Sequence, residues 1–223
     1  MARPPCSTCW AATDPPSSGE VRFQGQPVNS YRRRQLARRL ALVPQEYVID
    51  FAFTVEEIVL MGRHPHLPRF GRPAVEDWRQ VDRALAEIGI KHLQRRPVNE
   101  LSGGEKQRVA VARALAQQTP VLLLDEATAS LDVRYTLTIL QALQRRVRER
   151  GDTVIAVLHD LNLAAGFCQQ LLFIKRGRPA AFGTVDEVLT ADNIRRVFEV
   201  ESKVVDDEFN QGKRVAFCLQ GVE

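Results

Sequence analysis

This 223-residue sequence predicts an α/β fold, and three observations carry that expectation. Strand-like and helix-like segments alternate along the chain, the pattern of a parallel sheet crossed over by helices. The run "VLLLDE" at residues 121–126 is apolar on both faces, as a strand inside a parallel sheet must be, and it ends in two carboxylates. Apolar residues make up 44% of the chain and charged residues 26%, enough for a sizeable core with a wet surface. No stretch approaches the roughly 18 consecutive apolar residues that a bilayer-crossing helix needs.

The elements follow in order. "GEVRFQG" (19–25) reads as a short strand closed by Gly25. In "YRRRQLARRLAL" (31–42) Leu36 and Leu40, with Val43 beyond, recur at near-helical spacing, so a basic helix is expected with its arginines on the polar side. "LALVPQ" (40–45) then reads as a strand leaving through Pro44 and Gln45. Residues 54–97 form a helical block containing "TVEEIVLMG" and "VEDWRQVDRALAEIGI". The second segment puts Val75, Trp78, Val81, Leu85 and Ile88 on one stripe, and the Pro/Gly-rich "PHLPRFGRP" separates the two. After "LSGGE" (101–105) a helix runs through "KQRVAVARALAQQ" to the strand "VLLLDE". Next come a helix over 133–149, the strand "TVIAVLHD", a helix over 161–168 and the strand "QLLFIK". The tail adds two short helices and a closing pair of strands, "SKVVDDE" and "KRVAFCL".

Charge and cysteine usage narrow the function classes. The net charge of +4 comes largely from Arg, densest over residues 31–39. Such a run suits either a surface facing nucleic acid or anionic lipid, or a solvated helix face, and the helical spacing of the leucines favours the second. Cys6 and Cys9 make a C-x-x-C, but no second pair and no His-x-x-x-His follows at zinc spacing. The N-terminus holds prolines where a signal peptide needs an apolar segment, so a cytosolic setting is expected.

Two short strings carry the chemistry. Asp125 and Glu126 emerge at the carboxyl end of a central strand, where open α/β sheets bind ligands. An Asp there can hold Mg2+, and a neighbouring Glu can polarise water for in-line attack on a phosphoryl group. In Leu101-Ser102-Gly103-Gly104-Glu105 the glycines permit close backbone approach at a helix start that favours phosphate. Ser102 there serves equally well as a plain helix cap.

The combination is more specific than its parts. "LSGGEKQRVAVARAL", then "VLLLDEATASLD", then "VLHD" resembles the nucleotide-binding subunits of ATP-binding-cassette (ABC) transporters, from residue 17 to about residue 220. The resemblance implies a P-loop NTPase-like ABC ATPase fold with ATP and Mg2+ as cofactors. Residues 101–105 match the family signature, which contacts ATP held by the facing subunit of a head-to-tail homodimer. Asp125 matches the Mg2+-supporting carboxylate and Glu126 the catalytic base. Asp132 in "SLD" falls at the dimer seam, and His159 matches the histidine that senses γ-phosphate. Gln45 matches the residue that couples metal to the transmembrane partner. Ala127 stands where the family usually has Pro.

"TVEEIVLMGRHPH" and "LHDLNLAA" further resemble the ATPases that energise bacterial import of ferric siderophores, haem and vitamin B12. That implies two permease subunits and, indirectly, a periplasmic substrate-binding protein as partners, at the cytoplasmic face of the inner membrane. His64 and His66 would then belong to a surface element of the ATPase and not to a substrate site. Residues 15–53 and 98–223 would form the ATPase core with its C-terminal elements, and residues 54–97 the helical subdomain that grips the permease. A chromosome-type ABC ATPase is disfavoured because the chain holds no long coiled-coil insertion, so no nucleic acid partner is expected. A non-catalytic regulatory module that keeps the dimer surface is the competing reading.

One family element is missing. G-x-x-x-x-G-K-[ST], whose backbone N–H groups cradle phosphates, occurs nowhere in the 223 residues. "PPSSGEVRFQGQPV" matches the stretch that follows the P-loop helix, so the expected fold lacks its first strand, P-loop and following helix. Residues 1–14 offer a reason. Reading their possible codons two bases along permits G-K-[AT]-T-L-L-N-L-L-G, the end of a P-loop and its helix. These residues are therefore expected to be an out-of-frame translation that rejoins the frame near Pro15 and Pro16. Resequencing the locus should find P-loop codons immediately upstream in another frame; an in-frame upstream region with no such motif would refute it.

Overall fold

The computed structural model describes residues 16, 18–45, 52–68, 70–129, 131–210 and 212–218. The segment 1–14, with Cys6 and Cys9, lies outside them. The chain divides between Val157 and Leu158 into two compact units.

The first unit opens with a hairpin where a single strand was expected. β1 (Arg22–Phe23) pairs antiparallel with β2 (Gln26–Pro27). Gln24 and Gly25 between them have φ of 49° and 78°, the two positive values that a tight two-residue hairpin turn requires. The basic helix shrinks to one turn, α1 (Arg33–Leu36). Leu36 and Leu40 turn inward against Val28 and Leu123, while the arginines find acceptors away from the helix, so little remains to prolong it.

The sheet behind the site has three strands. β3 (Leu40–Val43), β4 (Val121–Asp125) and β5 (Thr153–Val157) lie parallel in that order, with β4 in the centre. The register sets Val43 opposite Leu124 and Asp125 opposite Val157. Leu122 to Asp125 are buried, as the unbroken apolar run foretold.

Four helices share the core beside this sheet. α2 (Val55–Met61) starts from a capping box in which Thr54 and Glu57 satisfy each other's backbone N–H. Those bonds, from the Thr54 backbone first, hold the Glu57 carboxyl below its usual value. At the far end Gly62 is obligatory, because a Cβ there would sit 2.2 Å from the Arg113 carbonyl oxygen. α3 (Val75–Glu87) corrects the expected stripe. Val81, Leu85 and Ile88 are buried, but Val75 is 70% exposed and Trp78 41%. Asp77 takes the inward place in the first turn, accepting from the Ala74 N–H and pairing with Arg63 at 2.9 Å. α4 (Gly103–Ala116) crosses both helices and is buried along most of its length. α5 (Val133–Arg150) ends at Gly151, whose φ of 69° gives the left-handed cap. Near that end the buried Arg146 meets Asp152 at 3.1 Å and Glu87 at 3.5 Å.

The second unit builds its own core from Leu161, Phe173, Leu189, Ile194 and Val215, among others. It comprises α6 (Leu161–Phe167), the hairpin β6 (Gln170–Lys175) with β7 (Arg178–Thr184), α7 (Val185–Val188), α8 (Ala191–Phe198), and the pair β8 (Ser202–Asp207) with β9 (Gly212–Phe217). β7 was not foreseen: "RPAAFGT", with its Pro and Gly, carries no strand pattern of its own. Its turn, Arg176 and Gly177 at φ 50° and 73°, is what closes the hairpin. None of the described helices is long and apolar enough to cross a membrane.

The "HPH" segment of the first unit is held by a polar knot. Arg34 and Arg38 donate to the Pro65 carbonyl at 2.9 and 2.8 Å, and Arg34 also donates to that of Leu67. Arg63 donates to the Ala116 carbonyl at 2.9 Å. His66 Nε2 lies 2.8 Å from the Gln117 carbonyl, so that nitrogen carries the proton. Burial pushes the His66 pKa down; the Gln117 bond opposes this, and the charges of Arg63 and Arg38 add to the lowering. A histidine held neutral by the fold contributes stability that is whole above its ordinary pKa of about 6.5 and is lost as pH falls through the lowered value. Urea midpoints should therefore drop between pH 7.5 and pH 5.5, and His66→Gln should flatten that part of the profile.

Candidate functional site

The parallel register does the first piece of positioning. Val43 faces Leu124, and two residues beyond each lie Gln45 and Glu126. Their side chains meet, Gln45 Nε2 donating to Glu126 Oε2 at 2.9 Å across 81 residues of sequence. Asp125 is 7% exposed at the end of β4. Glu126 has φ of 49°, a left-handed conformation uncommon outside glycine and frequent at functional sites. This turn takes Glu126 off the strand axis and leaves it half-buried at the sheet's carboxyl edge. The exit of β3 is braced as well. Gln107, buried on α4, donates to the Pro44 carbonyl at 3.2 Å.

The glycine-rich string forms a second cluster. Ser102 caps α4: its Oγ accepts from the Glu105 N–H at 3.3 Å and donates to Glu105 Oε2 at 2.8 Å. The Ser102 N–H reaches the same carboxylate at 2.9 Å. Those bonds, the backbone one first, hold the Glu105 carboxyl below its usual value, with smaller help from Arg108 and Arg96. Leu101 turns its side chain into the core, and its N–H donates to the Val98 carbonyl at 3.2 Å. The two glycines differ. A Cβ on Gly103 would have nothing within 4 Å among the described residues, whereas one on Gly104 would lie 3.3 Å from Leu131 Cδ2. Close approach is therefore the business of Gly104.

Leu131 precedes Asp132, and the contact joins the two strings. Asp132 caps α5 by accepting from the Tyr135 N–H at 3.0 Å. One turn along both helices, the guanidinium of Arg108 lies 3.7 Å from the centre of the Tyr135 ring. Arg108 is 4% exposed, and its Nε has no hydrogen-bond acceptor among the described residues, so the ring face is its main partner. Gly104 on Leu131 and Arg108 on Tyr135 thus make two rungs four residues apart. Sequence reading missed Gln107 and Arg108. Two polar residues inside an otherwise apolar helix, "QRVAVARAL", were the available signal.

Expected site residues therefore fall into groups. Gln45, Asp125 and Glu126 share the sheet edge, and residues 101–105 join Asp132 through Leu131. His159 belongs to the second unit, where it is exposed and precedes Asp160, the cap of α6. As for Mg2+, Asp125 with Glu126 and the Gln45 amide is an all-oxygen donor set of the hard kind that the ion prefers. Magnesium commonly takes only one or two carboxylates and draws its other ligands from phosphate and water, so these residues fit it.

Residues 8–129 match the ABC transporter family. The chain belongs to that family. It is 44% identical over 192 residues to the cobalamin import ATP-binding protein BtuD of Halobacterium salinarum, a match covering 86% of this chain and 48% of that protein. The chain thus spans about half the length of that relative. It is 40% identical to the iron(3+)-hydroxamate import ATP-binding protein FhuC of Bacillus subtilis, over 85% of this chain and 71% of the relative. Among solved structures, a dimeric bacterial ABC transporter cassette superposes with a TM-score of 0.71 at 27% identity, covering 81% of this chain and 79% of the other. The ABC ATPase fold anticipated from the sequence is the fold observed.

The Arg108–Tyr135 contact should be measurable. Tyr135→Leu should lower unfolding free energy by about 1–2 kcal/mol beyond the lost apolar area, Tyr135→Phe should not, and the loss should vanish on an Arg108→Met background. Urea denaturation of the four-variant cycle checks it.

Proposed function

We propose that this chain is the ATP-binding and ATP-hydrolysing subunit of an importer for a metal chelate such as cobalamin, a ferric siderophore or haem. The observation that carries the reading is the register-enforced meeting of Gln45 and Glu126 beside a buried Asp125. The import relatives and their identities support the substrate class. Asp125, with Gln45, would hold Mg2+, which when bound supplies charge neutralisation at the β- and γ-phosphates. Glu126 takes the proton of the attacking water, and its bond from the Gln45 amide fixes the carboxylate until substrate enters. His159 donates to the γ-phosphate.

Residues 101–105 and Asp132 act on ATP held by a facing copy of the chain. The capped helix start at Gly103 and the close Gly104–Leu131 approach suit that task. Two permease subunits and a periplasmic binding protein complete the importer, with this chain at the cytoplasmic face of the membrane.

A second reading makes the chain a non-catalytic module that keeps the dimer surface; the string of residues 1–223 itself contains no P-loop motif. Losing one preorganised donor of the oxyanion-hole kind costs roughly 100-fold or more in rate, and a P-loop supplies several. Purified residues 1–223 should therefore turn over ATP at least ~100-fold more slowly than the same chain joined to an in-frame P-loop segment. Glu126→Gln should abolish turnover in the joined chain. Ordinary turnover by residues 1–223 would overturn the expected impairment, and an inactive joined chain would favour the non-catalytic module.

A further inference from the structure

Between residues 21 and 45 stand six arginines and no acidic residue, although the whole chain carries a net charge of only +4. The rest of the chain is therefore net acidic, and its basicity is concentrated in one short segment. The folded form keeps that charge unneutralised. Among the described residues, Arg32, Arg33, Arg34, Arg38 and Arg39 make no ion pair with a carboxylate; Arg22 alone pairs, with Glu20.

Several of these guanidinium groups are nonetheless fixed in place. Arg34 and Arg38 donate to backbone carbonyls of Pro65 and Leu67. Arg39 donates to Gln24 Oε1 at 2.6 Å and lies 5.9 Å from the centre of the Tyr31 ring. Neutral acceptors hold a guanidinium without cancelling its charge. Like charges one turn apart, as at Arg34 and Arg38, cost stability on their own. Their positive field is already felt nearby, where Arg38 contributes to lowering the His66 pKa behind the larger effect of burial.

Beside these arginines runs an open groove of about 470 Å3, lined by Arg38, Arg39, Gln24, Gln26, Gln35 and the Ser30–Tyr31 pair. Its polar lining is amide, hydroxyl and guanidinium, and no carboxylate borders it among the described residues. That chemistry selects an anion with further oxygen atoms to bind, and bidentate guanidinium contacts suit phosphate above all. Arg32 and Arg33, exposed on the same turn, extend the positive surface past the groove, which suits a row of anions in a plane better than one free ion. We propose that this groove binds the phosphate-bearing headgroup of an anionic phospholipid.

The test is co-sedimentation of the full 223-residue chain with vesicles of phosphatidylglycerol in phosphatidylcholine, against vesicles of phosphatidylcholine alone. The chain should bind the first and not the second, more weakly as salt rises. The double variant Arg38→Gln/Arg39→Gln should lose about tenfold or more in apparent affinity. Arg38 also anchors the loop at Pro65, so Gln35→Glu provides a variant that keeps every arginine contact and places a carboxylate in the groove; it should lose binding too. Arg145→Gln/Arg148→Gln, with the same loss of charge on α5, should bind as the parent does. Equal loss in that control, or equal binding to both vesicles, overturns the site. Binding of inorganic pyrophosphate without binding to phosphatidylglycerol vesicles overturns the lipid as its ligand.

Discussion

Everything at the candidate site depends on the parallel ladder that buries β4 between β3 and β5. A parallel pairing fixes which residues leave the sheet side by side, and here it sets Val43 against Leu124. Because both strands run the same way, Gln45 and Glu126 must emerge together whatever the chain between them does. Both faces of β4 are buried, so it is the ends of the buried run that hold the register: a one-residue slip would draw the polar end of β4 against Val43 or carry Leu124 past it. The site is thereby protected from variation in the helical region between the two strands.

The helices are tied to this frame by contacts that tolerate little change. Gly62 lets the end of α2 touch the α4 backbone, and Gly104 brings the start of α4 onto Leu131. Between them α4 is a rigid bar with the Pro44 brace on one flank and the Arg108–Tyr135 stack on the other. A shift of its N-terminus would pass to the exit of β3 and to the start of α5 together. The buried polar residues of α4 meet partners on other elements, Gln107 at the Pro44 carbonyl and Arg108 at the Tyr135 ring, which ties each of them to the correct fold.

Much of this was legible beforehand. The strand 170–175, the helix from 133, and the pairing of the last two strands followed from apolar runs and alternation, patterns imposed by the backbone's own periodicity. The grouping of Asp125 and Glu126 at a strand end followed from sheet geometry. What was hidden depended on contacts that no local pattern encodes. Val75 and Trp78 fit an apolar stripe, but Asp77 took the inward place because Arg63, fourteen residues away, could neutralise it in the interior. The arginine run read as a solvated helix face, and only the tertiary structure shows its side chains reaching carbonyls more than twenty-five residues off. β7 was missed because its turn, not its composition, makes it a strand.

The backbone at Glu126 has a consequence for how such a chain drifts under mutation. A left-handed φ of 49° is uncomfortable for glutamate by roughly 1 kcal/mol and natural for glycine. At this position, exchange to glycine would relax the main chain while deleting the carboxylate that Gln45 meets. Backbone comfort and the cross-strand contact to Gln45 therefore pull in opposite directions on a single side chain.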